Sequence, residues 1–89
     1  MAKRRELKKK VNYIASELFI ECLINKLYVP GTNKEQADLL MGEILTMQND
    51  FLSRISHTEP GNAKGFYKQF RADFDAKVQE IIEALDKLQ

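Results

Sequence analysis

Three runs of residues, each longer than about twenty and each repeating its apolar side chains at helical spacing, predict an all-α chain. Two breaks separate them, Val29-Pro30-Gly31-Thr32 and His57-Thr58-Glu59-Pro60-Gly61-Asn62. No run alternates with the period of two that a half-buried strand requires. The expected helices cover about residues 6–28, 33–56 and 62–88. With short loops between them, the architecture expected is an antiparallel three-helix bundle forming one domain over 1–89. At 44% hydrophobic and 30% charged, the chain is too apolar for a disordered protein. With 89 residues it should bury roughly 60–65% of its unfolded surface, so its core must be simple.

The first helix is unusual. Advancing each residue by about 100° gathers Leu7, Val11, Ile14, Ala15, Leu18, Phe19 and Cys22 into a core stripe. The stripe is about 140° wide, enough to meet two neighbouring helices. Tyr13, Ile20, Leu23, Ile24 and Leu27 form a second stripe on the far side. Only one of the two can face the rest of a three-helix bundle. Left in water, each large aliphatic of the second would forgo about 1.5–3 kcal/mol of burial. The five residues are therefore the expected interface of a homodimer, because twofold pairing is the commonest way to cover a self-complementary helical face. A different protein partner docking on the same patch is the other possibility.

Pro30 drives the residue before it away from helical conformation and Gly31 permits a reversal, which ends this helix. The second helix is expected to open on a capping box formed by Thr32 and Glu35. Ala37, Leu40, Met41, Ile44, Leu45, Gln48, Phe51, Leu52 and Ile55 share its core stripe, and Leu39 lies off it. Gly42 stands on its polar face, where it costs up to about 1 kcal/mol relative to Ala. Pro60-Gly61 suits the centre of a type II turn, and Asn62 is the expected cap of the third helix. Tyr67, Phe70, Phe74, Val78, Ile81, Ile82, Leu85 and Leu88 make that helix's stripe. Phe66, Tyr67, Lys68, Phe70, Arg71 and Phe74 interleave aromatic and cationic residues as a base-stacking platform would. Most of those aromatics coincide with the apolar stripe, however, so they are read as core.

Net charge is +1, unevenly spread. Met1 to Lys10 holds six bases and one acid, a balance of +5, and the remainder holds eight bases and twelve acids, a balance of −4. Lys3, Arg4, Arg5, Lys8, Lys9 and Lys10 could serve as an anion-binding arm. The plainer reading is a solvated start of helix 1, partly frayed because cations oppose the dipole at a helix N-terminus. Lys8, Lys9, Lys10, Asn12, Glu17 and Glu21 interrupt the apolar sequence that follows, so neither a signal peptide nor a membrane span is expected.

Signs of catalysis are few. The sequence contains no Gly-rich phosphate loop, His–Glu zincin pattern, EF-hand loop or nucleophile elbow. His57 is the sole histidine, placed where it can complement a helix C-terminus. Cys22 is the sole cysteine, which excludes an internal disulfide, fits a reducing cytoplasm and reads as a small core side chain. Asp73 and Asp75 do not share a helix face and are expected to be solvated. No catalytic residue, metal ligand or cofactor is therefore assigned. A site built between two chains around His57 or Glu21 would be the route back to an enzyme.

The run Glu6-Leu7-Lys8-Lys9-Lys10-Val11-Asn12-Tyr13-Ile14, then Glu17-Leu18-Phe19 and Glu21-Cys22, and later His57-Thr58-Glu59-Pro60-Gly61-Asn62 with Gly65-Phe66-Tyr67-Lys68, resembles a family of short uncharacterised helical proteins from Bacteroidetes. The resemblance covers nearly the whole chain. It implies a bacterial, cytoplasmic setting and an all-helical fold, and it implies no activity. The function expected from the residues is a non-enzymatic protein–protein interaction module. Its alternative is a small nucleic-acid-associated protein that uses the basic arm.

Overall fold

A computed structural model describes residues 2–57 and 63–88, with side chains from Arg4 to His57 and from Lys64 to Leu88. It contains three α-helices, α1 (Ala2–Tyr28), α2 (Lys34–Ser56) and α3 (Ala63–Asp86), and no strand among the described residues. The chain is all-α. Helix α1 begins about four residues earlier than the apolar pattern predicts, so the basic residues from Arg4 to Lys10 lie within it. The Pro60-Gly61 turn and the Asn62 cap fall outside the described residues.

Between α1 and α2 the chain reverses at Gly31, whose φ of +85° belongs to the left-handed region that L side chains rarely adopt. The Thr32 N–H donates to the Val29 carbonyl at 3.4 Å, closing the turn. Helix α2 then starts one residue later than the Thr32–Glu35 capping box requires. Asn33 is the cap: its backbone is extended, with φ −73° and ψ 104°, and its side chain accepts from the Gln36 N–H at 3.1 Å. Thr32 is instead buried, and its hydroxyl has no hydrogen-bond partner among the described residues. Once the turn carries Thr32 inward, the next side chain with a short oxygen arm is the one placed to cap.

The core is continuous. Leu7, Val11, Ala15, Leu18 and Cys22 of α1 meet Ala37, Leu40, Ile44, Met47, Phe51 and Ile55 of α2, and Phe70, Phe74, Ile81 and Leu85 of α3 join them. Phe51 lies edge-on to Phe70 and Phe74, with centroids 5.3 and 5.0 Å away, a geometry that suits ring quadrupoles. The aromatics of α3 that might have offered a stacking platform are thus largely spent on the interior: Phe70 and Phe74 are buried, while Phe66 and Tyr67 pack at its edge.

Helix α2 packs against both of the others, and α1 touches α3 only sparingly. Contacts climb α2 as they descend α1. The Cys22 thiol donates to the Ala37 carbonyl at 3.3 Å, Lys26 pairs with Asp38, and Gln48 Nε2 donates to Asn12 Oδ1 at 2.8 Å. On the other flank Arg54 bridges to Asp73 at 2.9 Å and stacks over the Phe51 ring. The Asn33 N–H donates to the Leu88 carbonyl at 3.0 Å, tying the end of α3 to the first turn.

The stripes of α2 and α3 differ in detail from the sequence expectation. Met47 is buried where none was expected, whereas Leu45 and Ile82 are exposed. The buried arc of α2 is rotated toward Met47 because α3 occupies that flank, which leaves Leu45 at the opposite edge. Asp73, expected to be solvated, accepts from both Arg54 and Gln69 Nε2.

Candidate functional site

The second apolar stripe of α1 lies on the surface. Tyr13 is 68% exposed, Ile20 51%, Ile24 48% and Leu27 60%, while Leu23 is half-buried. All five project within about 100° of one another around a single straight helix, so one flat partner surface could touch them together. Two further residues belong to the patch. Tyr28, at the C-terminal end of α1, is also exposed. Leu45 of α2 faces Ile20 across a shallow groove of about 220 Å³ that also involves Phe19 and Gln48. Sequence periodicity treated Leu45 as core, and its lie at the edge of the α2 stripe was the one signal that it could be shared with the surface.

The basic residues sit at the other end of α1. Arg5, Lys8, Lys9 and Lys10 are exposed and Arg4 is half-buried, while the Lys3 side chain is outside the described residues. They surround the helix on several sides and do not line one groove, since positions 5, 8, 9 and 10 fall at widely different angles. Among the described residues no exposed aromatic cluster accompanies them. Tyr13 is the nearest exposed ring, and it belongs to the apolar stripe.

The groups that could carry chemistry are occupied structurally. His57 closes α2 as its C-cap, and its Nδ1 lies 2.8 Å from the Ser53 carbonyl. A carbonyl can only accept, so Nδ1 carries the proton in this contact. The same carbonyl also accepts the His57 backbone N–H at 3.1 Å, so ring and backbone close on one acceptor. Cys22 is fully buried, and its thiol pKa is raised first by desolvation and then by the carboxylate of Asp38, with Lys26 opposing. A thiol so placed is a poor nucleophile. Among the described residues no group of three or more His, Cys, Asp or Glu side chains could hold a metal ion, and no helix is long and apolar enough to cross a membrane.

A larger cleft of about 790 Å³ opens between α2 and α3, on a different side from the α1 stripe. Leu39 and Gly42 stand on its α2 wall and Ala76 on its α3 wall. Two ion pairs, Arg54–Asp73 and Lys77–Glu80, lie along it and take up its cations. The first braces α2 against α3, and the second lies within α3. No protein-family model, curated protein or solved structure matches the chain.

Proposed function

We propose that this chain is a non-enzymatic interaction module, an antiparallel three-helix bundle that forms a homodimer through the outer face of α1. The observation that carries the proposal is the exposure of Tyr13, Ile20, Ile24 and Leu27 on one side of a helix whose other side already fills the core. A second copy is favoured as the occupant because twofold pairing is the commonest way to cover an apolar helical face, and an axis at Ile20 sets Tyr13 against the partner's Leu27. The buried lone thiol and the likeness to short helical proteins of Bacteroidetes agree with a bacterial cytoplasm as its setting.

Light scattering behind a sizing column tests the proposal on the intact chain. A mass near twice the 10.3 kDa of one chain is expected at micromolar concentration, and a monomer throughout would refute it. Nucleic-acid association is the second reading, and the exposure of Arg5, Lys8, Lys9 and Lys10 favours it. It requires retention of DNA or RNA with a steep salt dependence that disappears when residues 1–10 are removed. Dimerisation through the outer face of α1 survives that deletion.

A further inference from the structure

We draw no further inference here: the strongest candidate, the cleft between α2 and α3 walled by Leu39, Gly42 and Ala76, carries nothing, because Arg54 and Lys77 are held in ion pairs within it and nothing in the structure shows what covers the exposed Glu43 and Asp50.

Discussion

Ile20 is the residue whose replacement should matter most to assembly and least to folding. It is 51% exposed in the single chain, so about half of its side chain remains to be covered. Full burial of an isoleucine stabilises by about 1.5–3 kcal/mol, and the remaining half should contribute about 1 kcal/mol per chain. A twofold dimer counts it twice, for about 2 kcal/mol. Ile20→Ala removes most of that, and at 1.4 kcal/mol per decade the dimer Kd should rise roughly 10- to 30-fold. Ile20→Glu sets two carboxylates together at the axis and should leave monomer only. Neither change touches the core stripe, so the diluted monomer should lose no more than about 1 kcal/mol, the worth of the half already covered. Sedimentation velocity over a concentration series measures the Kd, and urea unfolding of dilute protein measures the stability. Leu39→Glu is the necessary control, because Leu39 is also exposed but lies by the α2–α3 cleft. If Ile20→Glu dimerises as well as the wild type, or if Leu39→Glu abolishes the dimer to the same degree, the argument for the outer face of α1 fails.

Three further expectations concern the fold. Asn33→Ala should cost about 1 kcal/mol of stability by removing the cap on the Gln36 N–H, whereas Thr32→Val should be neutral or stabilising because it deletes a buried hydroxyl with no partner among the described residues. Equal losses in urea unfolding would return the cap to Thr32. Gly42→Ala should add about 0.5–1 kcal/mol, since a Cβ there meets nothing within 4 Å and Gly is a poor helix former; a lowered thermal midpoint would contradict this. Cys22 should react with thiol reagents only as fast as the chain opens. Its pKa is raised in the folded chain, so its contribution to stability is complete below the ordinary thiol pKa and is lost as pH climbs through the higher folded value. Rapid native-state labelling, or stability that rises in that alkaline window, would refute the placement.

How far the sequence was legible depends on the range of each interaction. The two stripes of α1 could be read because they depend only on the helical repeat, and Leu7, Val11, Ala15, Leu18 and Cys22 are buried as that repeat predicts. The α2 stripe was legible in kind but displaced in angle. Periodicity locates an apolar arc, but where neighbours press on that arc decides whether Met47 or Leu45 goes inside. Thr32 and Asn33 are adjacent residues that can both cap a helix, so a one-residue difference set by the Gly31 reversal could not be seen in composition. The Arg54–Asp73 bridge spans nineteen positions and two helices, beyond any rule that compares i with i+4 on one helix. Sequence reasoning therefore found the second apolar stripe of α1, which is a property of one helix, and missed the contacts that belong to pairs.

The arrangement of the three helices bears on why α1 is apolar on both sides. A helix with two apolar faces belongs in the middle of an assembly, where each face has a neighbour. Within one chain that middle position belongs to α2, which packs against α1 on one flank and α3 on the other. Helix α1 is an edge helix with α2 on one side, and its far side is oily without cause inside the protomer. Adding a second chain across Ile20 would make α1 the central helix of its own neighbourhood, between α2 and the partner's α1. Leu45 would gain cover by the same step, because it stands beside Ile20 at the rim of that face. The exposed residues of α1 and the misplaced leucine of α2 then have a single explanation, and a variant that disrupts one should change the environment of the other.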